Sequence, residues 1–381
     1  MDKGKISAAQ LTCMLFLSIL ATSMLTSPSI AYSIAKNDMW LTPLIGCLGG
    51  FLVVALALAL HRRYPGSTLV QYSDLILSKW LGKLVSLVFL LICLLMNAYQ
   101  LRQFSEIMKL SFMINTPSMV FVVSMILVSA LAVNLGIELI GRVSLLFTPI
   151  IIFLVIGLIL PLVREMEPDQ LLPFMADGAG PILRGALALQ IWFPIYIYAV
   201  MFLPYVSNQN QARRWLNWGV CWSIIIFVLT FLYIIMTMGA ASQHFSYPFL
   251  LLSRYVTIAS FMTHLDASIM ILWVLDVFIR TIVMYYAAVS GFAQWFQIPS
   301  YKALTLPIGL IIVLFTFWSI PNMAVFNQLI SVMMFYYLVG HLGIPLILYA
   351  ASLIRGKLSS GQPPASSEHQ QGVNTRGGAA P

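Results

Sequence analysis

Four charged residues lie inside strongly apolar stretches of the chain. Arg102 and Glu106 are spaced i, i+4 on one helical face, and so are Asp276 and Arg280. The two pairs are 174 residues apart, with the signs exchanged. Because an ionised side chain in a membrane is costly and normally faces the interior of a helical bundle, each pair suggests ligand binding or proton transfer. The alternative is a self-neutralising ion pair that only holds two helices together.

Two prolines interrupt apolar segments at matching places. Pro28 follows the run Thr22-Ser-Met-Leu-Thr-Ser, and Pro194 follows Gln190-Ile-Trp-Phe. A proline removes one helical hydrogen bond, and the backbone groups that it frees survive in lipid only where they face protein or a cavity. Paired broken helices indicate the central site of an inverted-repeat transporter, although a simple kink is the alternative.

These two signals define the candidate substrate-binding site. Its aromatic members shape the pocket, and its charged members orient a ligand or couple its binding to motion. The candidate residues are Ser23, Thr26, Ser27, Pro28, Tyr99, Arg102, Glu106, Gln190, Trp192, Pro194, Asp276 and Arg280.

Enzymatic motifs are missing from the sequence. It contains no Walker lysine loop, no dinucleotide glycine fingerprint and no HExxH motif, and its five histidines are scattered. The four cysteines lie within apolar segments and form no CxxC pair, so we expect neither disulfides nor a zinc site. We therefore predict a protein that is not an enzyme, with no cofactor and no metal.

The composition indicates a membrane protein. Of 381 residues, 60% are apolar and only 8% are charged, against about a quarter charged in a soluble domain. A transmembrane helix needs about 20 mainly apolar residues. Ten such spans are predicted, at 11–35, 41–60, 84–112, 119–135, 143–163, 182–206, 215–238, 265–292, 304–320 and 324–353.

The spans divide into two repeats of five. The transmembrane domain covers 1–356, with one repeat at about 11–163 and the other at about 182–353, and the Gly/Pro/Ser/Gln-rich segment 357–381 is predicted to be a disordered cytoplasmic tail. With the amino terminus inside, 13 Lys and Arg lie on the cytoplasmic side and 5 outside. The positive-inside rule therefore puts both termini in the cytoplasm.

Several short motifs in this order resemble the spore permease family, the B subunits of spore germinant receptors. They include Thr26-Ser-Pro-Ser-Ile-Ala-Tyr, Arg63-Tyr-Pro-Gly-Ser-Thr-Leu-Val-Gln-Tyr72, Leu101-Arg-Gln-Phe-Ser-Glu106 and Gly136-Ile-Glu-Leu-Ile-Gly-Arg142. The resemblance runs from about residue 5 to 355. It implies a ten-helix LeuT-like fold within the amino acid, polyamine and organocation transporter superfamily, with helices 1 and 6 broken.

The same resemblance implies a function. Such a subunit lies in the inner membrane of a bacterial spore beside an A subunit and a lipoprotein C subunit, and it binds a small nutrient, such as an amino acid, to trigger germination. An autonomous proton-coupled amino acid permease, with Glu106 or Asp276 exchanging protons, is the first alternative. The second is a scaffold whose interfacial helix and loops recruit partners. None of these functions involves nucleic acid.

Overall fold

The computed structural model describes residues 4–255, 266–319 and 338–360 as a bundle of helices. A single parallel β-bridge, between Ile6 and Val206, is the only strand-like pairing in these three ranges. The α-helices are α1 (Ala8–Ala35), α2 (Thr42–Arg63), α3 (Leu69–Ile76), α4 (Lys79–Ser111), α5 (Ser118–Leu135), α6 (Ile137–Ile159), α7 (Ala179–Ala188), α8 (Ala199–Phe202), α9 (Gln209–Met238), α10 (Pro248–Tyr255), α11 (Asp266–Trp295), α12 (Lys302–Trp318) and α13 (Ile344–Ser360).

These helices make the chain a multi-pass membrane protein. Within the described ranges, eight helical segments are long and apolar enough to cross a membrane, and Lys302–Trp318 is a shorter apolar helix. The predicted span 324–353 is described only from Leu338. The last helix continues to Ser360, past the predicted start of the tail at 357, and residues 361–381 lie outside the described ranges.

Polar side chains fix where several helices begin. Ser7 caps α1 with a reciprocal pair of bonds, because its Oγ accepts from the backbone N–H of Gln10 at 3.1 Å and its own N–H donates to Oε1 of Gln10 at 2.8 Å. Thr68 and Gln71 form the same capping box at the start of α3. This short helix packs along α4.

The sixth span is irregular, as predicted. After α7 the backbone tightens into 3-10 turns at Leu189–Ile191 and Phe193–Tyr198, and it returns to α-helix only at Ala199. Pro194 lacks the N–H that a continuous helix would use here. In the most apolar window of this span 89% of the residues are buried, so the irregular backbone contacts protein instead of lipid.

The interruption at Pro28 takes a different form. Helix α1 continues from Ala8 to Ala35 with Pro28 inside it, so the proline removes one backbone bond without unwinding the helix. Two serines just before it bond to the helix backbone. The Oγ of Ser27 donates to the carbonyl of Ser23 at 2.6 Å, and the Oγ of Ser23 donates to the carbonyl of Leu20 at 2.9 Å.

Helices α4 and α11 pack antiparallel and carry the intramembrane charges. Nε2 of Gln100 donates to the carbonyl of Val277 at 3.3 Å, and Nε1 of Trp295 donates to the carbonyl of Lys83 at 2.9 Å. Residue numbers thus rise along one helix as they fall along the other. This register brings residue 102 of α4 to about the same height as residue 276 of α11.

The start of α1 is tied to the end of the sixth span. The N–H of Ile6 donates to the carbonyl of Tyr205 at 3.0 Å, and the N–H of Ser207 donates to the carbonyl of Ile6 at 2.9 Å. Oδ1 of Asn208 accepts from the N–H of Ala8 at 2.8 Å. We call this side of the bundle the amino-terminal face.

Candidate functional site

A contact between the sixth span and the last one lies at the centre of the bundle. The hydroxyl of Tyr198 is 3.1 Å from Nε2 of His341, and the two rings meet edge to face at 5.2 Å. Both residues are fully buried. His341 belongs to a π-helical turn, Leu338–Gly343, immediately before α13. Such turns widen a helix locally and are frequent at functional sites.

Helix α11 contributes two buried charges beside this contact. Asp276 has no exposed surface and Arg280, one turn along, is 2% exposed. Arg280 is close enough to His341 for its charge to act on the imidazole. The predicted pair therefore lies in the interior of the bundle, as an intramembrane charge should.

Helix α4 faces the same centre with an aromatic and a polar stripe. The Phe89 ring lies 5.5 Å from that of Tyr198, and Cys93 is one turn further along α4. Asn97 and Gln100 follow, both fully buried. Each uses its amide nitrogen on a backbone carbonyl, Asn97 on Cys93 at 3.3 Å and Gln100 on Val277 at 3.3 Å.

The second predicted ion pair lies on a different side of α4. Nη2 of Arg102 is 3.0 Å from Oε1 of Glu106, and its guanidinium lies over the ring of Phe317 in α12 at 5.5 Å. The Oγ of Ser118, at the start of α5, is 3.5 Å from Oε1 of Glu106. The pair thus joins α4 to α5 and α12.

A loop tyrosine lies close to this pair. Burial raises the pKa of Tyr247 to about 12, and the charge of Glu106 adds to the rise while a hydrogen bond from Gln103 opposes it. Tyr247 directly precedes α10, so the loop before that helix covers the end of α4 opposite the amino-terminal face.

The remaining predicted residues are dispersed. Ser23, Ser27 and Pro28 are buried in α1, and Thr26 and Tyr99 are half-buried. Nε2 of Gln190 donates to the carbonyl of Gly46 at 2.9 Å, so Gln190 ties the sixth span to α2. Trp192 and Pro194 are buried in the same irregular stretch.

Four buried polar residues in this part of the bundle were not among the predicted site residues: Asn97, Gln100, Thr281 and His341. Neutral amides and a lone histidine inside apolar spans are weak signals, because many such residues only bond to their own helix. The informative signal was the spacing of Asn97 and Gln100, i and i+3, which places both on one face of α4.

Three open cavities lie elsewhere in the described part of the chain. One, of 410 Å³, is lined by Gln71, Gln294 and Gln297 near the amino-terminal face. An apolar groove of 470 Å³ lies between α4, α5, α6 and α11, and a third cavity of 440 Å³ borders Trp215, Trp218 and Trp222. Within the described ranges, no three His, Cys, Asp or Glu residues come together as a metal site would require.

The helical bundle with its irregular, buried sixth span has a fold that is also seen in solved transporter structures. Its backbone superposes on Mhp1, a nucleobase-cation-symport-1 family transporter, with a TM-score of 0.71 over 94% of this chain and 82% of that one, at 10% identity. This likeness confirms the predicted LeuT-like fold.

Sequence comparison identifies the family. The profile of the spore germination protein family matches residues 5–325, so the chain belongs to that family. It is 26% identical to spore germination protein KB of Bacillus subtilis over 364 residues, 94% of this chain and 97% of the relative. It is 25% identical to protein YndE of the same organism over 325 residues, 84% and 88% of the two chains. The resemblance first seen in the short motifs is confirmed.

Proposed function

We propose that this protein is the nutrient-sensing membrane subunit of a spore germinant receptor. It binds a small nutrient, such as an amino acid, in the centre of the bundle and thereby triggers germination. Membership of the spore germination family supports a role in germination, and the transporter-like fold supports a central binding site. The observation that carries the proposal is the contact of Tyr198 with His341 beside the buried charges of α11, where four spans converge on polar groups.

The signal in this proposal is a shift between conformations of the bundle. A nutrient can move such an equilibrium only by its difference in affinity for the two states. In this proposal Asp276 and Arg280 of α11 and Tyr198 of the sixth span lie beside the ligand, and the helices that carry them change their spacing when it binds. The altered bundle then acts on a receptor A subunit and a lipoprotein C subunit, which the likeness to protein KB supports.

The proposed location is the spore inner membrane, with both termini in the cytoplasm. The 13 to 5 distribution of Lys and Arg supports this orientation. The amino-terminal face is then the cytoplasmic face, and Tyr247 lies outside. Labelling of single cysteines introduced at Ser7 and Ser246 with a membrane-impermeant reagent tests it, because only Ser246→Cys should react from outside.

Replacement of the buried charges tests the function. Spores carrying Asp276→Asn or Arg280→Gln should need about tenfold more nutrient for half-maximal germination, at unchanged protein abundance. Arg142→Gln is the matched control, since Arg142 pairs with Glu138 at the same i, i+4 spacing with 72% of its side chain exposed. If all three variants germinate with the same nutrient dose response as the native protein, a central nutrient site is contradicted.

The alternative, an autonomous proton-coupled amino acid permease, is favoured by one observation: Asp276, Glu106 and His341 are proton-exchanging groups within the bundle. Purified protein in liposomes separates the two. Saturable uptake of labelled amino acids driven by a proton gradient, without partner subunits, would support the permease. Binding without uptake supports the receptor.

A further inference from the structure

Two amide oxygens at the centre of the bundle have no hydrogen-bond partner among the described residues. Oδ1 of Asn97 and Oε1 of Gln100 are fully buried, yet neither accepts a hydrogen bond from any residue of the described ranges. Turning either amide round would set its oxygen against the carbonyl to which its nitrogen now donates. Buried polar groups in native proteins are nearly always paired, so these two oxygens fit a donor that a bound molecule supplies.

Both oxygens lie in the same region. Asn97 and Gln100 are neighbours on one face of α4, with side chains about 5–6 Å apart at Cβ. In α11 the carbonyl of Val277 points towards the N–H of Thr281, and the Gln100 amide bonds to that carbonyl. The Gln100 amide therefore lies beside Thr281, whose hydroxyl is also buried and, among the described residues, unbonded.

The charges nearby indicate which donor fits. Asp276, next to Val277 in sequence, places a carboxyl group with no exposed surface at the same height, and Arg280 follows one turn later. Neutral acceptor oxygens beside a carboxylate attract a positively charged donor, while a guanidinium one turn away attracts an anion. A zwitterion carries both groups without adding net charge to a buried site.

We propose that Asn97 and Gln100 form an ammonium-binding subsite, so that the ligand is a primary amine of the amino acid class. The ammonium group donates to Oδ1 of Asn97 and Oε1 of Gln100, and Asp276 balances its charge. This inference rests on the proposed function, since it assigns the chemistry of the same central site. It goes further by excluding sugars and nucleosides as the main ligand.

Binding to the purified full-length protein in detergent tests the subsite. The probes are the twenty common L-amino acids, D-glucose and inosine, with the 2-hydroxy acid analogue of any amino acid that binds. We expect an amino acid to bind and its hydroxy acid to bind at least about tenfold more weakly, because the hydroxyl carries no positive charge. Asn97→Leu and Gln100→Met should each lower the affinity for that amino acid about tenfold or more.

Two further variants separate a lost subsite from a lost fold. Asn134→Leu makes the same change in α5, where Oδ1 of Asn134 already accepts from the Thr305 hydroxyl at 3.0 Å, and it should leave the affinity unchanged. Asn97→Gln keeps both the amide donor and the amide acceptor and should retain more binding than Asn97→Leu, even if Asn97→Leu folds poorly.

The outcomes are distinct. Equal affinity in the native protein, Asn97→Leu and Gln100→Met would overturn the subsite and leave the receptor function standing. Binding of D-glucose or inosine alone would do the same. If no probe binds the native protein and spores with Asn97→Leu germinate normally with every nutrient, both the subsite and the proposed function are wrong.

Discussion

The hydroxyl of Tyr198 lies 3.1 Å from Nε2 of His341, which joins the irregular sixth span to the π-helical turn before α13. Two residues earlier in the same 3-10 stretch, the hydroxyl of Tyr196 makes a similar bond, 3.1 Å long, to Oγ of Ser223 in α9. Both tyrosines are fully buried. They differ in direction, because Tyr198 faces the proposed site and Tyr196 faces α9.

This difference gives a matched pair of variants. Tyr198→Phe should raise the nutrient concentration for half-maximal germination about tenfold, since one buried hydrogen bond at the site is worth about 0.5–1.5 kcal/mol. Tyr196→Phe loses a comparable bond and should change that concentration by less than about twofold. If both variants shift the dose response equally, the effect comes from general loosening of the sixth span.

The ion pair of Arg102 and Glu106 is the second target. Arg102→Ala should shift the nutrient dose response at normal protein level, because its loss leaves the Glu106 carboxylate, with 15% of its side chain exposed, without its guanidinium partner. Arg142→Ala removes an exposed partner at the same spacing and should change stability by less than about 1 kcal/mol. An immunoblot that shows only lower abundance of Arg102→Ala would make the pair purely structural.

The packing of α3 on α4 depends on Gly82. A Cβ at this position would lie 2.5 Å from the carbonyl oxygen of Ser73 and from Cα of Asp74, so the backbone of one helix must move. Gly82→Ala should lower the free energy of unfolding by about 1–3 kcal/mol, measured as a lower melting temperature in detergent. Gly157→Ala in α6, where a Cβ meets nothing within 4 Å, should raise that temperature slightly. An unchanged melting temperature in Gly82→Ala would show that α3 is not held against α4.

The carboxyl group of Asp74 gives a pH-dependent prediction. Burial raises its pKa from 3.8, and the charges of Lys83 and Lys79 only partly oppose the rise. A raised pKa in the folded state means that the stability contributed by this group is present below 3.8 and is lost as pH rises through the raised value. Asp74→Asn should therefore melt at a higher temperature than the native protein at about pH 7.5, with a difference that shrinks towards pH 4. A variant that is less stable at about pH 7.5 would mean that the two lysines outweigh burial.

The sequence predicts the membrane spans well because one physical term dominates them. A membrane-spanning helix such as α4 or α11 needs about 20 mainly apolar residues. So long an apolar run identifies the span even when its predicted ends are wrong by several residues. The irregular sixth span was predictable from Pro194 because the missing N–H has a local effect. At Pro28 the same local rule holds, yet α1 stays helical, since one missing bond does not by itself unwind a helix.

The candidate site was only partly predictable. The sequence indicated Asp276 and Arg280 as candidates because charge is rare in an apolar span. The contact of His341 with Tyr198 joins residues 143 positions apart, and no local pattern reports such a pairing. The bond of Gln100 to Val277 was not predictable either, because it depends on the register between α4 and α11.

The short β-bridge at Ile6 has a mechanical consequence. Two backbone hydrogen bonds couple the first residues of the described chain to 205–207, and Asn208 adds a third bond to Ala8. Any rocking that parts α1 from the end of the sixth span on this side must rupture all three together. These bonds hold the amino-terminal face closed. The bundle should therefore open first on the opposite side, where Tyr247 lies.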